Sequence, residues 1–169
     1  MHKHDLGPME RIVEELIQQL DLKPHPEGGF YRELYRSPLT VHPDDGRSMR
    51  PALTTIYFLL PAGQVSRWHR VASDEVWLHL DGAPLELFTC DPAFDRVTQH
   101  VIGPLRDGLR PELVVEPQHW QAARSIGTYS IAACVVGPGF DFADFAMLHD
   151  LPDERAKMER QQAAFALLT

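Results

Sequence analysis

Gly63-Gln64-Val65-Ser66-Arg67-Trp68-His69-Arg70-Val71-Ala72-Ser73-Asp74-Glu75-Val76-Trp77-Leu78-His79-Leu80-Asp81-Gly82 is the stretch that decides the fold. Turn residues at Gly63, Ser73-Asp74 and Asp81-Gly82 bracket two short strands, Val65–Val71 and Glu75–Leu80. Side chains alternate faces along a strand. In the second strand Glu75, Trp77 and His79 share one face, and Val76, Leu78 and Leu80 the other. By alternation alone the aliphatic face is the core and the Glu/Trp/His face meets water.

The same grammar runs outward in both directions. Upstream, Leu53–Leu60 is apolar on both faces, with Leu53, Tyr57 and Leu59 opposite Ile56, Phe58 and Leu60. Both faces must then be covered, one by the core and the other by the N-terminal helix or a second subunit. Downstream, Leu85–Cys90, Arg96–Ile102, Glu112–Val115, Gln121–Arg124, Tyr129–Val136 and Phe142–Leu148 follow, separated by turns such as Asp91-Pro92 and Gly137-Pro138-Gly139. Regularly spaced short strands indicate an all-β sandwich or barrel. A helix over about 8–21 precedes them, opened by Pro8 and stopped by Lys23-Pro24 and Pro26, with Ile12, Val13, Leu16, Ile17 and Leu20 at helical spacing. A second helix covers about 152–168. His42–Arg50 reads as an exposed loop, and His2 and His4 as part of a disordered terminus.

With 169 residues and no linker or repeat, the chain reads as one domain over 1–169. Acids outnumber bases 24 to 16, for a net charge of −8, which argues against nucleic acid as a partner. No apolar run approaches the roughly 20 residues that span a bilayer, and no signal peptide is evident, so no membrane partner is expected. Cys90 and Cys134 sit in apolar, strand-like segments and read as reduced, buried thiols of a cytoplasmic protein.

Gly63, His69, Glu75 and Gly82 are spaced as in the first motif of the cupin superfamily, which the stretch resembles over its full length. The second histidine of that motif falls on Val71. Glu116-Pro117-Gln118-His119-Trp120-Gln121 is the best counterpart of the second motif, with Gln121 where a metal histidine stands and Glu116 and Gln118 replacing proline and glycine. Pro24-His25-Pro26-Glu27-Gly28-Gly29, Tyr31-Arg32-Glu33, His69-Arg70-Val71, Ser73-Asp74-Glu75, Trp120-Gln121-Ala122-Ala123 and Pro138-Gly139-Phe140-Asp141-Phe142 look like an uncharacterised cupin branch, a domain of unknown function also called cupin family 5. Leu78 stands where relatives of that branch often carry another histidine. The resemblance implies a double-stranded β-helix, or jelly roll, with the barrel over about 30–148, usually a homodimer, and brings no established reaction. It also turns Glu75 into the barrel, and with it Trp77 and His79, which makes a polar, aromatic ligand pocket.

Cupin metals take three histidines and a glutamate. Here the matching positions hold His69, Val71, Glu75 and Gln121, and a valine cannot ligate while an amide is a poor partner for a transition metal. His79 is about 13 Å along the strand from Glu75. No cofactor is therefore expected, with a bound metal ion and metal-dependent dioxygenase or isomerase chemistry as the alternative. The leading expectation is a protein that binds a small polar, sugar-like molecule. His69 and Glu75 form an imidazole–carboxylate pair and Tyr57 is a candidate acid for isomerase or epimerase chemistry. A non-catalytic binding protein using the same residues remains open. Trp77, His79, Trp120, Gln121, Arg32 and Glu27 are the further candidate ligand-binding residues, with His25 and Glu27 at a pocket rim.

Overall fold

The structure is a computed structural model, and the described residues are 7–168, so His2 and His4 lie outside them. Helix α1 (Pro8–Gln19) opens with Pro8 in its first turn and Glu10 accepting the Gly7 N–H at 2.9 Å. Asp21, at φ 51, turns the chain out of the helix. The strands then follow as β1 (Lys23–Pro24), β2 (Phe30–Arg36), β3 (Thr40–Val41), β4 (Arg50–Pro51), β5 (Thr54–Pro61), β6 (Val65–Val71), β7 (Asp74–Gly82), β8 (Leu85–Cys90), β9 (Val97–Ile102), β10 (Glu112–Val115), β11 (Trp120–Ser125), β12 (Tyr129–Gly137) and β13 (Phe145–Met147). Helix α2 (Pro152–Gln161) continues into a 3-10 turn, Ala163–Leu168. The expected last strand is real only at its centre, since Phe142–Asp144 and Leu148–Asp150 are 3-10 turns.

Two antiparallel sheets face each other. The six-stranded sheet runs β1-β2-β5-β12-β7-β10 and the five-stranded sheet β13-β6-β11-β8-β9. Between them lies a core of Phe58, Leu60, Trp77, Leu87 and Ile102 with their neighbours. Glu75 and Trp77 point inward, and Val76 and Leu78 are half-buried on the outside. Alternation of hydropathy therefore named the wrong face of β7, because that outer face is itself apolar.

Each helix covers part of one outer face. Val13, Leu16 and Ile17 of α1, with Leu20 just after it, pack on Leu59, Ile131 and Tyr57, so the chain's own helix supplies the second cover for β5. On the other sheet, Trp68, Phe88, Trp120 and Ala122 are covered by Met158, Phe165 and Leu168, and the Trp68 indole donates to the Phe165 carbonyl at 2.9 Å. The stretch His42–Arg50 is the expected exposed loop over most of its length, but it is anchored: Arg50 bonds both oxygens of Asp144 at 2.8 Å and Arg47 reaches the same carboxylate at 2.9 Å. The guanidinium of Arg50 and the carboxylate of Asp144 match as fork and fork, which fixes the β3–β4 hairpin beside the Phe142–Phe145 segment.

Candidate functional site

A cavity of about 420 Å³ opens between the two sheets at one end of the barrel. Three pieces of chain bring its polar side chains together. The first is the strap His25–Gly29, folded as a tight turn in which Gly28 N donates to His25 O and His25 N to Gly29 O, each at 3.0 Å. It lies so close to the barrel that a Cβ on Gly28 would collide with the Val65 carbonyl and one on Gly29 with that of Leu59. Both glycines have positive φ, 112° and 69°, which adds a conformational reason for glycine. Arg67 N–H donates to Glu27 O at 2.8 Å, stitching the strap to β6. The outcome is that Glu27 is buried at the heart of the cavity, and not at its rim.

The second piece is β6. Gln121 pairs with His69 but Ala123 pairs with Ser66, so three steps on β6 match two on β11. This bulge resets the alternation, and both Ser66 and His69 turn inward. Ser66 donates to Glu27 Oε1 at 2.8 Å, and His69 Nε2 stands 3.1 Å from Glu27 Oε2. His69 Nδ1 faces the Arg67 carbonyl at 2.7 Å, so Nδ1 carries the hydrogen and Nε2 is the basic nitrogen. His25 completes the group, with Nδ1 taking the Glu27 N–H at 3.3 Å and its ring edge-on to Tyr31 at 4.5 Å.

The third piece is β7. Glu75 accepts from the Gln121 amide at 2.6 Å, and Gln121 in turn accepts from the Trp77 indole at 2.8 Å. Burial pushes Glu27 up to about 8 and Glu75 up to about 7. Burial also lowers His25 to about 3 and holds His69 below its ordinary value. The carboxyls thus favour their protonated form and the imidazoles their neutral form, and a Glu27 O–H to His69 Nε2 hydrogen bond satisfies both. Cys134, also buried in the cavity wall, is bonded to Glu75, and burial raises its thiol well above the usual range.

Of the residues expected from sequence, His69, Glu75 and Glu27 meet in this cavity. Gln121 and Trp77 stand behind Glu75 as its support, with Trp77 edge-on to Phe58 at 5.5 Å in the core. The others lie elsewhere. Tyr57 faces α1, since its neighbour Phe58 faces in, and Arg32 covers its ring at 5.9 Å. Trp120 neighbours inward-facing Gln121 and so points outward, stacked on Phe94 at 5.9 Å and under Arg70 at 4.6 Å. His79 bonds the Ala83 carbonyl at 3.0 Å, away from the cavity. Ser66 and Cys134 were not anticipated. Alternation with Val136 was the available signal for Cys134, whereas nothing in the sequence announces the bulge that turns Ser66 inward.

The cupin metal set does not fit these residues. Val71 has no donor atom, and both polar atoms of the Gln121 amide are engaged, one by Glu75 and one by Trp77. Among the described residues no group of three or more His, Cys, Asp or Glu side chains is arranged to hold a metal ion.

Comparison with known proteins agrees with the architecture. The chain is 29% identical to a hypothetical protein from Leishmania major, with a TM-score of 0.74, covering 87% of this chain and 96% of that one. It is 32% identical to a structurally characterised protein from Shewanella oneidensis, with a TM-score of 0.78, covering 92% of this chain and 96% of that one. Oxalate decarboxylase from Bacillus subtilis shares the fold at 15% identity and a TM-score of 0.54, over 74% of this chain and 29% of that one. No curated protein matches the chain. Residues 14–148 match the family described as Cupin superfamily (DUF985), and the chain, with its two facing antiparallel sheets and its cavity at one end of the barrel, belongs to that family.

Proposed function

We propose that this cupin takes a small carbonyl compound into the barrel cavity and moves a proton on it without a metal, as an isomerase or epimerase. The observation that carries the reading is the convergence of two buried carboxyls and a neutral imidazole on one cavity, Glu27 against His69 at 3.1 Å and Glu75 across from them. Groups whose environment brings their proton affinities near neutrality suit general acid–base work. In its ionised form Glu75 takes the proton from the carbon next to the carbonyl. The C–H electron pair moves into the C–C bond and the carbonyl π pair to oxygen, which receives the proton held between Glu27 and His69. The resulting enol collapses in reverse. On an α-hydroxycarbonyl substrate the enol is an enediol. Glu75 gives its proton to the former carbonyl carbon, while the hydroxyl on the deprotonated carbon passes its proton to the Glu27–His69 pair and becomes the new carbonyl, which moves the carbonyl. Epimerisation requires the enediol to turn its other face to Glu75 before the proton returns to the first carbon and the enol oxygen gives its own proton back. The Gln121 amide at 2.6 Å from Glu75 and the Trp77 indole behind it fix the carboxyl and contribute no proton.

Deuterium uptake at the carbon next to the carbonyl, followed by NMR in D2O over a panel of small α-hydroxyketones, tests this directly. Wild-type protein is expected to catalyse exchange for at least one compound. Glu75→Gln should keep the fold and lose exchange by about 10²-fold or more, the usual worth of a positioned acid or base. Binding of these compounds by wild type with no catalysed exchange would leave a ligand-binding protein and refute the reading.

A further inference from the structure

The cavity has two unlike walls. The six-stranded sheet contributes Thr54, Ile56 and Phe58 from β5 and Cys134 and Val136 from β12, with Ile56 opposite Cys134 and Thr54 opposite Val136 in the ladder. The β5–β12 part of this wall is nearly all hydrocarbon, and its hydroxyl, on Thr54, already accepts the Phe140 N–H at 2.9 Å. The same sheet adds Glu75 from β7, half-buried Tyr31 from β2, and exposed Lys23, Glu33 and Arg36 from β1 and β2. The facing side holds His69 and Val71 from β6, Phe145 from β13, and the strap with His25 and Glu27. Even there each imidazole lies against an aromatic ring, His69 at 5.5 Å and His25 at 6.0 Å from Phe145. The polar atoms are largely spent on one another, Glu27 on Ser66 and His69, and Glu75 on Gln121. At the exposed rim, Arg36 is held by Glu33 and by the Phe140 carbonyl.

We infer that the molecule taken here is an uncharged carbonyl compound with a single polar edge and an aromatic or aliphatic body, and not a polyhydroxylated sugar. This deepens the proton-transfer reading and rests on it. The polar edge meets Glu27, His69 and Glu75, and the body lies on Ile56, Phe58 and Val136. A sugar would turn two or more hydroxyls onto that hydrocarbon wall, where they lose water and gain nothing. Each such stranded group costs about tenfold in affinity, so a sugar loses about 100-fold or more. An anionic head would lose its water in a dry site and face Glu75 in the ionised form that acts as base, which disfavours it further.

Two compounds with the same hydroxyketone head separate the alternatives: 1-hydroxy-3-phenylpropan-2-one and L-erythrulose. Dissociation constants by calorimetry and deuterium exchange by NMR are measured for both, with wild type and with Val136→Thr, a near-isosteric change that adds a hydroxyl to the apolar wall. The phenyl compound is expected to bind and exchange about 100-fold better than erythrulose, and Val136→Thr to narrow that ratio about tenfold. Equal or better handling of erythrulose overturns the inference on the ligand's body and leaves proton transfer standing. Selective binding of the phenyl compound without exchange supports the inference on the body and overturns the proton-transfer reading. Binding of neither compound overturns the inference.

Discussion

Replacing Glu27 by glutamine asks whether the centre of the cavity is a neutral pair or an ion pair. In the folded protein Glu27 holds its proton up to about 8, because burial penalises the carboxylate. In the unfolded chain it ionises near the ordinary 4.5. Between those values the folded state binds the extra proton, so this group's contribution to stability falls as pH rises, from above 4.5 until about 8. The rate of loss is about 1.4 kcal/mol per pH unit, rolling over near the folded value, which gives about 2 kcal/mol between roughly pH 6 and pH 8. Glutamine mimics the protonated acid: its carbonyl accepts from Ser66 and its amide donates to His69 Nε2. It has no proton to lose, so Glu27→Gln removes this slope. The histidines titrate in both proteins, and their contributions largely cancel in the comparison. Urea unfolding of both proteins at the two pH values is the assay. With a slope near 2 kcal/mol per molar, the midpoint difference between wild type and variant should shift by about 1 M, in the variant's favour at the higher pH. A difference that does not change with pH would mean that Glu27 is already ionised at the lower value beside a protonated His69. The roles assigned to that pair would then be wrong.

Three further outcomes are expected. Asp144→Ala should lower the urea midpoint and release the β3–β4 hairpin, seen as faster amide exchange around Arg47 and Arg50, because it strands two guanidinium groups that share that carboxylate; unchanged exchange there would refute the tie. Sedimentation should give a homodimer burying roughly 1,000 Å² or more in total, through the part of the six-stranded sheet that α1 leaves bare, where Val76, Leu78 and Val135 are half-buried and Val114 is 52% exposed; Val114→Asp should dissociate it, and a wild-type monomer at tens of micromolar would refute it. Elemental analysis of untagged protein should find iron, zinc, manganese and nickel well below one equivalent, and one equivalent that survives dialysis but is lost in His69→Ala would overturn that expectation.

How much of this was legible in the sequence depended on which signal was asked. Strand positions were, because turn residues punctuate them: Val65–Val71, Leu85–Cys90 and Glu112–Val115 fall where the structure has them. The face of β7 was misread from hydropathy, since its polar face lines the cavity and its aliphatic face lies outside, so the alternation points the wrong way; the resemblance of the His69–Glu75 spacing to the cupin motif carried that information. Tyr57 and Trp120 were attractive candidates by residue type alone, yet each adjoins an inward residue, Phe58 or Gln121, and pleating forbids neighbours from sharing a face. That constraint was available in the sequence and outranks chemistry.

The bulge in β6 and the depth of the strap belong to a different class, because no local pattern encodes them. The bulge adds one residue between Ser66 and His69, and that single residue moves a hydroxyl from the outer surface to the Glu27 carboxyl. The strap depends on two glycines whose reason is the carbonyls of Val65 and Leu59, more than 29 residues away in the chain. Both features serve the same end, bringing Glu27 against His69, while Gln121 binds Glu75 where a metal histidine stands in other cupins. The departures from the metal motif and the Pro24–Gly29 strap are thus two halves of one arrangement: one removes donors from the cavity, and the other brings in a second carboxyl.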